Sequence, residues 1–269
     1  MDVINVISLI LTIMVIAMFG YQFFYILVSL IDEIKTRIQK NNQYKDILNG
    51  VAKAEDFIEK DGEPHRFGFV IAARNEENVI ANLIESIRQQ NYPSDMIDVF
   101  VVADNCTDKT ADVAREAGAV VYERFNDEQV GKSYALNYLF NKINADYGSY
   151  RAYDGYFIFD ADNIVGKDFT RAMNNEFCKG YRVVTGYRNS KNFGTNWITA
   201  GYSIAFMREA KYLNNSRKLL KSSTMVSGTG YLVSSAIIEE NKGWHFNIMT
   251  EDIHLSAHLI YNNEKIGYA

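Results

Sequence analysis

The sequence predicts an α/β fold, a mostly parallel sheet with helices on both faces, preceded by one N-terminal transmembrane helix. Two observations carry this reading. From Phe67 onward, short apolar runs alternate with stretches of helical periodicity at the spacing of βαβ units. Ahead of them, Val3 to Ile31 carries no charge, with Asn5, Ser8, Thr12, Gln22 and Ser29 as its polar side chains. That stretch exceeds the roughly 20 residues needed to cross a bilayer.

A cleaved signal peptide would need a basic start and a small-residue cleavage site, whereas Asp2 is the sole early charge and no Ala-x-Ala follows. The helix is therefore read as retained. Lys35, Arg37, Lys40 and Lys45 follow it and no Lys or Arg precedes it, so the positive-inside bias puts everything downstream in the cytoplasm. This predicts a single-pass cell-membrane protein with residues 1–32 as the membrane helix. Residues 33–64 read as an amphipathic connector at the membrane surface, on the spacing of Ile34, Ile38, Ile47, Leu48 and Val51. Residues 65–269 are the α/β domain. A formal net charge of −5 argues against a nucleic-acid partner, whose phosphates call for a basic face. Cys106 and Cys178 are far apart and in no metal-ligand spacing.

Within the domain, Phe67 to Ala73 reads as a strand that ends in Arg74-Asn75-Glu76-Glu77. A helix follows, because Val79, Ile80, Leu83, Ile84 and Ile87 recur on one helical face until Tyr92-Pro93 closes it. Ile97 to Ala103 is a second strand, Thr107 or Asp108 a helix cap, and Gly118 the stop of the helix that reaches Ala117. Ala119 to Tyr122 is a third strand. Gly131-Lys132-Ser133 leads into a helix carrying Ala135, Leu136, Leu139 and Ile143, and the strand Tyr156 to Phe159 comes next. Arg182 to Tyr187 reads as a further strand, and Asn196 to Leu213 as a long helix with Ile198, Tyr202, Ala205, Phe206 and Leu213 inward. Met225 to Val233 holds a Gly-x-Gly that opens a strand, where Gly228 and Thr229 leave room for a bulky ligand. A last helix begins near Ile253.

Every strand in the series ends in polar residues, and ligands of open α/β sheets bind beyond the carboxyl ends of the strands. Arg74, Glu76, Asp104, Lys132, Asp160 and Asp162 therefore converge on one edge. Such a mixture of acids and bases suits a nucleotide diphosphate and its metal. Asp160-Ala161-Asp162 places two hard oxygen ligands one residue apart at the end of a buried strand. Mg²⁺ or Mn²⁺ takes such ligands together with substrate phosphates. By itself, Asp-x-Asp is a common turn.

In order and spacing, the motifs resemble the inverting family 2 glycosyltransferases of the GT-A fold. The likeness is greatest to the membrane-bound synthases of cellulose, chitin, hyaluronan and poly-N-acetylglucosamine. Ile71 to Glu77 is similar to the family's first-strand motif, Val102 to Asp108 to its uridine-binding segment and Asp160-Ala161-Asp162 to its metal motif. Gly131 to Asn137 resembles its Gly-Lys-x-x-Ala-Leu-Asn helix start, and Thr250-Glu251-Asp252 its catalytic-base motif. The resemblance implies transfer of a sugar from a nucleotide diphosphate, UDP in the first place, to a hydroxyl of a glycan or lipid-linked acceptor. It implies a divalent cation on Asp160 and Asp162, nucleotide-sugar contacts from Arg74, Glu76, Asp104, Lys132 and Asp160, and Asp252 as general base. Gly228, Thr229 and Glu251 would line the pocket for acceptor or donor sugar. The family's Gln-x-x-Arg-Trp motif and later membrane helices do not follow Thr250-Glu251-Asp252 here, and the strand-like run Ile266 to Ala269 ends the chain, so a C-terminally truncated domain is expected.

Four other readings stay open at this level. A nucleotidyltransferase shares the sheet and the metal but needs no base, and an incomplete fragment would bind a nucleotide sugar without turning it over. Trp244 and His245 suit either an acceptor pocket or a core position. His254 and His258 lie four apart, as zinc-binding pairs do, but lack the Glu of His-Glu-x-x-His.

Overall fold

The computed structural model describes residues 3–57, 60–246 and 250–269. They form two compact units, one from Met1–Lys60 with Arg188–Ser222 and the other from Asp61–Tyr187 with Ser223–Ala269. In chain order the elements are α1 (Val3–Leu48), β1 (Phe67–Ala73), α2 (Ile80–Arg88), β2 (Ile97–Asp104), α3 (Thr110–Glu116), β3 (Val120–Arg124), α4 (Lys132–Tyr147), β4 (Gly155–Asp160), α5 (Phe169–Cys178), β5 (Val183–Thr185), α6 (Trp197–Arg208), α7 (Asn215–Leu219), β6 (Tyr231–Ser234), α8 (Ser235–Glu240), α9 (Glu251–Tyr261) and β7 (Ile266–Tyr268).

In the first unit, α1 runs unbroken for 46 residues, roughly 70 Å at 1.5 Å per residue and about twice the thickness of a bilayer's hydrocarbon core. Its apolar part is long and apolar enough to cross a membrane and is unburied. The expected connector begins as the continuation of this helix, with Ile34, Ile38 and Leu48 well exposed on it. The long helix expected at 196–213 divides into α6, a π-helical stretch over Glu209–Asn214, and α7. Asn196 caps α6 through a capping box with Thr199. The expected inward face is corrected. Ile198, Tyr202 and Ala205 are exposed, while Ser203, Ala210, Asn214 and Ser216 are buried. Small and polar side chains occupy the contact because helices approach closely there, Ser216 Oγ donating to the Tyr25 carbonyl at 2.7 Å.

The second unit is a seven-stranded sheet in the order β3-β2-β1-β4-β6-β5-β7. Strands β1 to β4 pair in parallel, as does β5 with β7, while β6 runs antiparallel to both β4 and β5. Alternation along the strands feeds two cores. Phe67, Phe69, Ile71, Phe157 and Phe159 pack with Ile80, Leu83, Ile84 and Ile87 of α2 and Met173 of α5. Val70, Phe100, Tyr156 and Ile158 pack on the other face with Leu136, Leu139, Phe140 and Ile143 of α4 and Leu255 and Leu259 of α9. Both faces are covered, which is why these strands read as continuous apolar runs.

Helices α5 and α8 are absent from the sequence reading above. α5 signals itself in Phe169, Met173 and Phe177, spaced four apart. α8 has only six residues, too short for a periodic signal. Thr107 and Asp108 precede the N-cap of α3, Lys109, rather than occupying it. Asp108 still accepts from the Thr110 backbone N–H at 3.0 Å, one turn-opening bond displaced by two residues.

Candidate active site

Strand topology decides which residues meet. Register places Ala72 opposite Asp160 and Ala73 opposite Ala103, so β1, β2 and β4 end together, with Arg74, Asp104 and Asp160 at that edge. Because β6 is antiparallel to β4, with Tyr231 opposite Ile158, the residues before Tyr231 also fall beyond Asp160. This brings Gly228-Thr229-Gly230 from a distant part of the chain to the Asp-x-Asp turn. Gly228 and Gly230 adopt φ of 64° and 71°, the left-handed region that glycine enters without cost to a Cβ. The loop is then pinned, Asp160 N donating to Thr229 Oγ1 at 2.8 Å and Thr229 Oγ1 donating to Asn163 Oδ1 at 2.7 Å.

The N-termini of α4 and α9 supply the rest. Lys132, first residue of α4, places its Nζ 2.6 Å from Asp160 Oδ1, 3.1 Å from Glu251 Oε1 and 3.0 Å from the Gly228 carbonyl. Burial works to depress the pKa of this ammonium, but the Asp160 and Glu251 carboxylates outweigh it and the net shift is upward. Lys132 is thus held as a cation between two acids. Glu251 is buried and opens α9. Asp252 lies one residue further in, where its Oδ2 accepts from Gly228 N at 2.6 Å and its Oδ1 from Ile253 N at 2.8 Å. The helix therefore starts before the expected Ile253, with Thr250 as N-cap, and Ile253 and Ile260 are exposed while Leu255 and Leu259 face the core.

Asp104 is buried at the end of β2, its Oδ1 2.5 Å from Arg124 Nη1 at the end of β3. Sequence reasoning missed Arg124, although a basic residue closing an apolar strand is the signal that would have found it. Asn75 and Asn105, at φ of 57° and 51°, turn the chain sharply after β1 and β2, and Asn75 Oδ1 accepts from Thr107 N at 2.8 Å. Arg74 is exposed beyond β1. Burial raises the Glu76 pKa, and the nearby carboxylates of Asp162, Asp108 and Asp160 raise it further. Burial leads this shift, and the carboxylate contribution reflects negative charge gathered near the Asp-x-Asp turn.

Asp162 is exposed, and its Oδ1 accepts from Asn163 Nδ2 at 3.0 Å. Among the described residues no group of three His, Cys, Asp or Glu side chains could hold a metal. Asp160 and Asp162 fit instead a hard cation that draws its remaining ligands from a phosphate and water, and the carboxylate crowding there favours one. A second missed residue is Tyr231, whose hydroxyl is buried and without a partner among the described residues. Burial and the Glu251, Asp160 and Asp252 charges drive its pKa well up.

Other candidates from the sequence are packed as follows. Trp244 is a core residue, fully buried and stacked on Phe140 at 6.0 Å between ring centroids. His254 and His258 both pack against Phe246, at 5.3 and 5.7 Å.

Comparison with known proteins places this geometry. Residues 64–269 match the family described as "Glycosyltransferase like family 2". A beta-monoglucosyldiacylglycerol synthase of Synechocystis sp. is 26% identical over 204 residues, 74% of this chain and 41% of that protein. A probable glycosyltransferase of Bacillus subtilis, YdaM, is 30% identical over 213 residues, 74% of this chain and 46% of its own length. The chain thus spans less than half the length of these relatives. Among solved structures, the Pyrobaculum calidifontis mannosyltransferase PcManGT, in complex with GDP-Man and Mn²⁺, superposes with a TM-score of 0.58 at 16% identity, covering 90% of this chain and 65% of that one. Staphylococcus aureus TarS 1-349 with UDP-GlcNAc gives 0.53 at 15% identity, covering 76% of this chain and 56% of the other. Such identities establish a shared GT-A fold, and the match across 64–269 establishes descent: the chain belongs to glycosyltransferase family 2.

Proposed function

We propose that the protein transfers a sugar, with inversion at the anomeric carbon, from a nucleotide diphosphate sugar to a hydroxyl group of a lipid-linked or glycan acceptor. The observation that carries this is the convergence of Lys132, Asp160, Glu251 and Asp252 from three separate elements on the Gly228 loop. A single displacement requires positive charge where the diphosphate departs and a carboxylate where the acceptor hydroxyl loses its proton. Lys132 supplies the first. Asp252, fixed by two backbone N–H groups, supplies the second, taking the proton as the acceptor oxygen attacks. Asp160 and Asp162 would hold Mn²⁺ or Mg²⁺, whose chemistry is to neutralise the leaving diphosphate.

Glu251 aligns Lys132, and Asp104 with Arg74 and Glu76 lies where the nucleoside and phosphates would bind beyond the strand ends. The shared fold does not choose the base, since PcManGT was solved with GDP-Man and TarS with UDP-GlcNAc. UDP is favoured by the likeness of Val102 to Asp108 to a uridine-binding segment. The relatives named as glycolipid synthases favour a lipid acceptor. Calorimetry with UDP and Mn²⁺ tests the site: binding should require the cation and be lost in Asp162→Ala, and metal-independent binding retained in that variant would overturn it.

The apolar part of α1 is proposed to anchor the protein in the cell membrane, N-terminus outside and the catalytic unit in the cytoplasm, on the basis of Lys35, Arg37, Lys40 and Lys45. Protease added outside sealed cells should spare the chain after Pro64.

A further inference from the structure

Between Trp197 and Met207, α6 has no charged residue, and it runs for only 12 residues. An apolar segment of this length is too short to span a bilayer and belongs in a protein core, a signal peptide or a membrane interface. Among the described residues no core covers it, for Trp197 is 83% exposed and Tyr202 and Ile204 each 61%. A signal peptide is excluded by its position deep in the chain. The interface remains.

Contacts within the same unit give the depth. Arg208 Nη2 donates to Gln22 Oε1 at 3.1 Å, and Arg217 Nη2 to the Tyr21 hydroxyl at 3.1 Å. Counting the roughly 20 residues of a span from Val3 arrives at Gln22. The two guanidinium groups therefore stand where α1 would leave the hydrocarbon. Further along α1, Lys211 pairs with Glu33 at 2.9 Å, a charged contact suited to the aqueous side. Exposed Phe23, Phe24, Leu27, Leu30 and Ile31 of α1 fall between these two levels, and an exposed apolar layer bounded by cations and aromatic rings is what a headgroup region accommodates.

We propose that α6 is an interfacial helix whose exposed face, Trp197 to Met207, is embedded at the headgroup–acyl boundary of the leaflet where α1 exits, with Arg208 and Arg217 at the level of the lipid phosphates. This rests on the reading of α1 as a membrane span. It also narrows that reading: the hydrocarbon-crossing part is Val3 to Gln22, and the apolar residues after it serve the interface.

Tryptophan fluorescence tests it, because Trp244 is fully buried and Trp197 is the only other tryptophan. The full chain is reconstituted in vesicles of phosphatidylcholine and phosphatidylglycerol, and the difference between parent and Trp197→Phe isolates the one ring. That emission should be blue-shifted, largely lost when the lipids are brominated near the glycerol end of their acyl chains, and indifferent to iodide on both sides of the membrane. Quenching by iodide without quenching by bromolipid overturns the inference in favour of an aqueous helix. Protection from both overturns it in favour of a covering protein segment. Ile13→Trp, at the middle of the Val3–Gln22 span and exposed, in the Trp197→Phe background separates the two readings. Quenching of that ring by deeply brominated lipid, with Trp197 unaffected, leaves the span standing and removes only the interfacial helix. No quenching at either ring removes both.

Discussion

The two units of this protein sort the same residue types in opposite directions. Around the sheet, apolar side chains go inside, and charges collect at the strand ends, where they are paired or crowded. In the helical unit, most of the aromatic and branched residues of α1 and α6 are exposed, while Ser29, Ser203, Ala210, Asn214 and Ser216 are buried. Hydrophobic burial drives the first arrangement, because water is the alternative environment. In the membrane setting proposed for α1 that force would vanish between helices, and close approach of small residues with local hydrogen bonds would replace it.

The comparison is broken most severely at the site. Asp252→Asn keeps the size of the side chain and one of its two accepting oxygens but cannot take a proton. Sugar transfer should fall by roughly 10²–10⁴-fold with nucleotide binding retained, read by donor consumption alongside calorimetry. A variant that turns over at the parental rate moves the base to Glu251.

A matched pair of truncations sharpens the contrast in packing. Phe157→Ala removes a ring fully buried among Phe67, Phe69 and Phe169, at a cost of about 3–5 kcal/mol. Tyr202→Ala on α6 should change stability by no more than about 0.5 kcal/mol in detergent, because its ring is exposed. Denaturation midpoints of the solubilised chain measure both. A large loss from Tyr202→Ala would show that α6 packs on protein.

The smallest effect is one of charge. The Glu76 pKa is raised in the folded state, so its contribution to stability is present below the ordinary glutamate pKa of about 4.3 and is lost as pH rises through the folded value. At neutral pH the ionised carboxylate is a net cost. Glu76→Gln should therefore melt slightly higher than the parent at neutral pH without divalent cation, with the gap closing toward the ordinary glutamate pKa. A lower melting temperature for the variant throughout would show that the carboxylates around Asp162 do not repel.

The apolar stretch after Val3 and the alternation of strands and helices from Phe67 were legible in the amino-acid order, and the family-like motifs marked Asp160, Asp162, Lys132 and Asp252 as candidates. Each depends on local periodicity or on a side chain's own chemistry, and both survive without knowledge of neighbours. Tertiary structure alone decided the remainder. The antiparallel β6 delivers the Gly228 loop to Asp160, a pairing across some 70 residues that no local pattern encodes. Arg124 closes on Asp104 only because β3 lies beside β2. The outward face of α6 could not be read from its composition, since a helix apolar all round carries no moment to say which side is covered. What a residue is follows from the chain; what it meets depends on strand order and on the medium around each unit.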